Sequence, residues 1–222
     1  MKKFLFLTTL AICLAYAVDA QTYSHKEVYD QEFTFTDGIY ITKDDMINNH
    51  PIEKYRVESS IDPESLIFFD QLMSQKEFTL FDNLGNKTTI KTEKVWGYCS
   101  GGTIFINQNG YFNRLGIIGS ISHFIGIKII TSYRPIDPYL GYSRWGYSPT
   151  PISTAESQQY FLEFSTGKIY EYNPTNLEML LMSDPELHDE YASLPRKKKN
   201  SKLFYYMRKF NEKHPLYLPV YE

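Results

Sequence analysis

From Glu77 to Asn173 apolar and polar residues alternate. "EFTLFD", "TTIKT", "VWGYC" and "TIFIN" each set an apolar or β-branched side chain at every second position. They are separated by Asn83-Leu84-Gly85-Asn86, Gly101-Gly102 and Gln108-Asn109-Gly110. Period two, bounded by Gly and Asn, predicts strands joined by short reversals. "YFNRLGIIGSISHFIGIKII" follows, with Leu115, Ile117, Gly119, Ile121, His123, Ile125, Ile127 and Ile129 in one row. Gly116, Ser120, Ser122, Gly126 and Lys128 fall in the other. This predicts one or two strands with a single buried face, the glycines marking bulges or a bend. "QYFLEFSTGKIYEYN" reads as a further hairpin reversing at Ser-Thr-Gly.

Upstream, "GIYIT" reads as a strand. Thr42 then offers an N-cap, Asp44 and Asp45 suit a first turn, and Pro51 lies past the end, so a short helix is expected. "IDPESLIFFDQL" fits either a helix or a strand. After Pro174 the period lengthens. "TNLEMLLM" reads as a short apolar helix, and Asp184-Pro185 opens another with Leu187, Tyr191 and Leu194 on one stripe. Leu203, Met207 and Phe210 mark a third, ending before Pro215. Amphipathic helices need a surface to cover. The order predicts an α+β fold: an antiparallel β-sheet, with a partly closed barrel as one arrangement, a short N-terminal helix, and C-terminal helices packed on one face or end.

Residues 131–152 break the pattern. "TSYRPIDPYLGYSRWGYSPTPI" is rich in Pro, Gly and aromatic residues and has no period, so a long irregular loop is expected. Tyr133, Tyr139, Tyr142, Trp145 and Tyr147 are spaced along it, with Arg134 and Arg144 among them. Flat rings stack on sugars and anchor protein interfaces, which makes Tyr139, Tyr142, Trp145 and Tyr147 the candidate binding residues. The bland alternative is that the rings pin the loop to its own sheet.

Met1-Lys2-Lys3, the apolar run Phe4 to Ala17 and small residues at Ala15, Ala17 and Ala20 have the layout of a secretory signal peptide over 1–20. Residues 21–222 then form a single domain, secreted or periplasmic, with no further transmembrane span expected. Losing Lys2, Lys3 and Asp19 with the leader takes the net charge from −3 to −4. Hydrophobic residues at 42% provide for a core, and the charge balance points to no nucleic acid. Export means an oxidising compartment, yet Cys99 is the only cysteine beyond the leader, so an internal disulfide is excluded.

A lone Cys before Ser-Gly-Gly raises the question of a nucleophile. A nucleophile elbow runs strand, turn, helix; here the turn leads into β-branched "TIFIN". The preferred two-residue Gly101-Gly102 loop pairs Cys99 with Ile104, Tyr98 with Phe105 and Gly97 with Ile106, whereas a three-residue loop would set Cys99 opposite Thr103. Val95 and Cys99 then share a face with Ile104 and Ile106, and Trp96, Tyr98 and Phe105 share the other. On an aliphatic face the thiol pKa rises and reactivity falls. His123 lies downstream, as in many Cys-His hydrolases, but in an apolar row, where a satisfied core imidazole is the simpler reading. The five histidines show no ligand spacing, and neither a metal nor a cofactor is implied. "PRKKKN" is a short basic run whose functional reading is a nucleic-acid or membrane patch and whose simpler reading is a solvated turn between helices; Asn86-Lys87-Thr88 is a glycosylation sequon, meaningful only in a eukaryotic secretory pathway.

With "GIYIT", "VWGYCSGG", "GSISHF", "TGKIYEYN" and "YMRKFNEKHP" in view, the chain resembles an uncharacterised family of small secreted proteins of Gram-negative bacteria. The resemblance spans most of the chain beyond the leader. It implies export and one globular domain, and it transfers no catalytic residue. The expected function is an exported, non-enzymatic binding module for a glycan or protein of the cell envelope. The alternatives are a cysteine-dependent hydrolase or transferase using Cys99 with His123, and a structural envelope component.

Overall fold

A computed structural model describes residues 23–221 apart from 31, 83 and 134–150. The reversal at Gly101-Gly102 organises the main sheet. Both glycines hold positive φ (56° and 71°), the geometry of a two-residue hairpin loop. It joins β6 (Gly97–Ser100) to β7 (Thr103–Gln108) in the expected register, Cys99 opposite Ile104 and Tyr98 opposite Phe105. Asn109 and Gly110 make a second such turn, with φ of 55° and 85°, into β8 (Tyr111–Ile117). The meander continues through β9 (Ile121–Tyr133), β10 (Pro151–Glu163) and β11 (Lys168–Glu171). β2 (Gly38–Tyr40) pairs with the free side of β6, giving the antiparallel order β11-β10-β9-β8-β7-β6-β2. This seven-stranded sheet is curled into a half-barrel within a mixed α+β fold. β3 (Val57–Glu58), β4 (Glu77–Phe81) and β5 (Lys87–Lys91) form a separate small sheet. β1 (Tyr23–Val28) pairs with β12 (Tyr217–Tyr221) in a two-stranded ribbon that the sequence pattern did not reveal.

Both faces of the main sheet are buried across its middle. One face gathers Cys99, Ile104, Ile106, Leu115, Phe124, Tyr160 and Leu162. It is covered by Phe35, by Met46 of α1 (Lys43–Ile47) and by Leu218 of β12. The other face is divided. Ile39 and Tyr98 pack under Phe78 and Leu80 of the small sheet and under α2 (Phe68–Met73), so the ambiguous "LIFFDQL" is helical at its core. Ile121 and Phe161 pack under α3 (Pro174–Leu180), α4 (Pro185–Ala192) and α6 (Leu203–Lys213).

The caps follow their residues. Thr42 and Asp45 form a reciprocal capping box on α1. Asn173 caps α3 ahead of Pro174, and Asp184 caps α4 ahead of Pro185. Asp184 is 4% exposed and also accepts from Lys213 Nζ (3.0 Å) and His214 Nε2 (2.7 Å), tying the start of α4 to the end of α6. Burial pushes its carboxyl up. The hydrogen bonds from His214, Lys213 and the Leu187 N–H outweigh that and hold it well below the usual carboxylate range.

Four expectations need correction. The odd row of β9 is buried only at Ile121 and His123; Ile125 is 60% and Ile129 48% exposed, while Phe124, of the even row, is fully buried. Both faces are used near the root of β9, and neither is covered further out. Both ends of the loop expected over 131–152 are strand, because β9 runs to Tyr133 and β10 starts at Pro151; the rest of it lies outside the described residues. Val95 packs with Tyr98, and Trp96 packs on the Cys99 side, the reverse of the predicted faces. The chain leaves a 3-10 turn at Thr92–Lys94 just before, and regular pairing starts only at Gly97. A Cβ at Gly97 would lie 2.4 Å from the Phe105 carbonyl oxygen, so glycine is required there. "PRKKKN" is not a turn but the start of a helix, α5 (Arg196–Ser201).

Asp184 sets an acid limit on stability. A depressed carboxylate pKa contributes stability above the unfolded value of about 4, and that contribution is lost as pH falls below it. Asp184→Asn is expected to lower Tm at pH 7, with the gap to the parent shrinking below about pH 4, where the parent's unfolded chain takes up a proton that its folded carboxylate does not. Thermal melts across pH check this; a gap independent of pH contradicts it.

Candidate functional site

The sulfur lies deep in the half-barrel. Cys99 is fully buried, its Sγ 3.3 Å from Asp37 Oδ1 and 3.6 Å from the Phe35 carbonyl oxygen. Asp37 also accepts from the N–H groups of Gly101 and Gly102, at 3.0 and 3.1 Å, so one carboxylate fixes the turn and lies against the thiol. Burial first, then the hydrogen bond and negative charge of Asp37, push the thiol far above its ordinary value. An anion beside a buried thiol opposes thiolate formation, the reverse of what a nucleophile needs.

His123 is elsewhere. It pairs across the ribbon with Phe161, and its Nε2 lies 2.9 Å from Gln159 Oε1. Its ring packs against Tyr172 and Phe204, at 5.2 and 4.7 Å. Burial lowers its pKa against the opposing effect of the Gln159 contact, favouring neutral imidazole. Strands β7 and β8 lie between the strands that carry Cys99 and His123, and the two side chains belong to opposite faces of the sheet. The structure does not bring this pair together. Among the described residues no group of three or more His, Cys, Asp or Glu is arranged to hold a metal ion.

Tyr139, Tyr142, Trp145 and Tyr147 lie outside the described residues, as do Arg134 and Arg144. The backbone that flanks them is described and is regular: Tyr133 pairs with Pro151. β9 and β10 pair without interruption from there to Ile121 and Glu163. Their neighbours stop much sooner. β8 pairs with β9 only at Leu115–Phe124 and Ile117–His123, across a bulge at Gly116, and β11 reaches only Tyr160–Glu163. Beyond Phe124 and before Gln159, the two strands have no strand partner but each other among the described residues.

The result, among the described residues, is a two-stranded ribbon with both outer edges open. One face carries Ile125, Ile127 and Ile129 opposite Gln159, Ser157 and Ala155. The other carries Lys128 opposite Glu156, then Ile130 and Ile152, which are 39% and 40% exposed. At the root, Lys128 Nζ donates to Glu171 Oε1 of β11 at 2.6 Å. Two-stranded ribbons are marginal in water, and open apolar edges invite pairing. Ser, Thr, Gln and Glu dominate "STAESQQ" on both faces, so hydrophobic alternation gave no sign of the outer half of β10. A usable signal was the isoleucine row itself, which runs on to Ile129 with no turn residues closing it.

The buried thiol gives a direct chemical check. Iodoacetamide, read at the Cys99 peptide by mass mapping, is expected to leave native protein unlabelled from pH 7 to pH 9 and to label it fully once denatured. Fast native labelling at neutral pH would mean a thiolate exposed to solvent.

No protein-family model matches this chain, and neither a curated protein nor a solved structure does.

Proposed function

We propose that this chain is an exported binding module of the cell envelope. It engages an extended segment of a protein partner through the β9–β10 ribbon. An incoming strand adds to an open edge and satisfies its N–H and C=O groups, while alternate side chains rest on the isoleucine row. The observation that carries this reading is the ribbon's geometry: two edges without a strand partner among the described residues, and four isoleucines at 39–60% exposure on an arm that leaves the packed layers. The leader-like N-terminus and the resemblance to small secreted Gram-negative proteins support the location. Tyr139, Tyr142, Trp145 and Tyr147 lie in the chain that joins the two strands and would add rings to the same contact. A glycan ligand would instead depend on those rings and not on the isoleucines.

The variants separate these outcomes. In a pull-down from native envelope, Ile125→Lys with Ile129→Lys is expected to weaken capture of a specific protein at least about tenfold, with unchanged thermal stability. Loss with Tyr142→Ala and Trp145→Ala, but not with the isoleucine pair, would transfer the reading to a glycan or ring-mediated contact. Capture unchanged by both pairs removes the ribbon and its tip from the function.

A further inference from the structure

Helix α5 is placed against its own electrostatics. The first turns of α1 and α4 carry Asp44, Asp45 and Glu186, as the helix dipole favours. The first turn of α5 carries Arg196 and Lys197, with no acid. It buries no residue, and its N-cap residue, Pro195, makes no side-chain cap bond. Six cations and no carboxylate fall between Arg196 and Arg208, in a chain whose net charge is −3. Among the described residues only Lys199 of the six has an ion-pair partner, Glu178 at 2.5 Å. Like charges this close destabilise the helix that bears them, so folding does not account for the cluster.

Its surroundings suit a lipid surface. Phe204 and Tyr205, at the start of α6, are 37% and 51% exposed, and Lys202 Nζ sits 4.9 Å above the Tyr205 ring. Exposed rings beside unpaired cations are the combination that settles at a headgroup boundary. A cleft of about 630 Å³ opens beside Arg196, between α3 and α5. Asn173, Thr175, Glu178, Lys199 and Asn200 contribute to its walls. Glu178 neutralises Lys199, which leaves Arg196 as the cleft's uncompensated charge. Pro174 and Leu194 also line it, so the cleft is mixed in character, and Arg196 supplies the cation that a headgroup phosphate would meet.

We infer that the α5–α6 corner docks this protein on an anionic lipid bilayer, with Arg196, Lys197, Lys198, Lys202 and Arg208 facing the headgroup phosphates. This site shares no side chain with the ribbon and stands or falls separately from it.

The test is co-sedimentation with vesicles of phosphatidylcholine alone and of phosphatidylcholine with about a third phosphatidylglycerol. Binding is expected only to the anionic vesicles and is abolished near about 1 M salt. Lys197→Gln with Lys198→Gln should weaken it about 25-fold, at roughly fivefold per charge removed. Lys91→Gln with Lys94→Gln makes the same change of net charge on a distant surface and should leave it nearly intact. Absence of binding to anionic vesicles, or equal loss with both pairs, overturns the inference. Binding to soluble heparin without vesicle binding also overturns it and points to a soluble polyanion.

Discussion

A slip of one residue at Gly101-Gly102 would undo the fold. Cys99, Ile104 and Ile106 belong to one core, and Tyr98 and Phe105 to another, on the two sides of the same pair of strands. Because side chains alternate, a one-residue shift would exchange their environments. The turn is therefore held from two directions. Its glycines accept positive φ without strain, and Asp37 clamps both of their N–H groups from the strand-entry segment before β2. Tyr98 and Phe105 stack at 4.8 Å across the pair, and Tyr98 donates to Asp70 of α2, so the register also sets where the small sheet and its helix dock.

Double-sided burial explains where the molecule is rigid and where it is open. Across β2, β6, β7 and the roots of β8 to β10, each strand is flanked by neighbours and sandwiched between covering layers. Past Phe124 that arrangement ends at once. Gly126 permits a close approach at the boundary: a Cβ there would lie 2.2 Å from Gln108 Oε1. That oxygen is buried and has no hydrogen-bond partner among the described residues. The last tightly packed contact and the first exposed isoleucine are thus adjacent in sequence.

Much of the main sheet was legible because its signals are local. Gly-Gly and Asn-Gly turns fix loop length, loop length fixes pairing, and alternation then assigns faces. The helix starts at Thr42 and Asp184 were legible for the same reason: cap, first-turn acid and proline act within one turn. Most of the assignments that failed depend on distant partners. Whether Ile125 is buried is decided by how far β8 and β11 extend, and no property of "HFIGIKII" records that. Val95 and Trp96 changed sides because a 3-10 turn offset the strand's phase. β12 was missed because "LYLPVY" contains Pro219 and its partner, β1, stands nearly two hundred positions earlier. Of the candidate site, the burial of the thiol was readable from its flanking strands. The open ribbon and the uncompensated cations of α5 were not, since both are defined by what fails to pack against them.

The pairing of β1 with β12 carries a consequence for the order of events in folding. Leu218 lies in the same core as Cys99 and Phe124, and β12 has β1 as its strand partner. The earliest described strand must wait for the latest one before this core is sealed. A chain emerging from N- to C-terminus stays unsealed until nearly all of it is free, and such long-range closure slows folding.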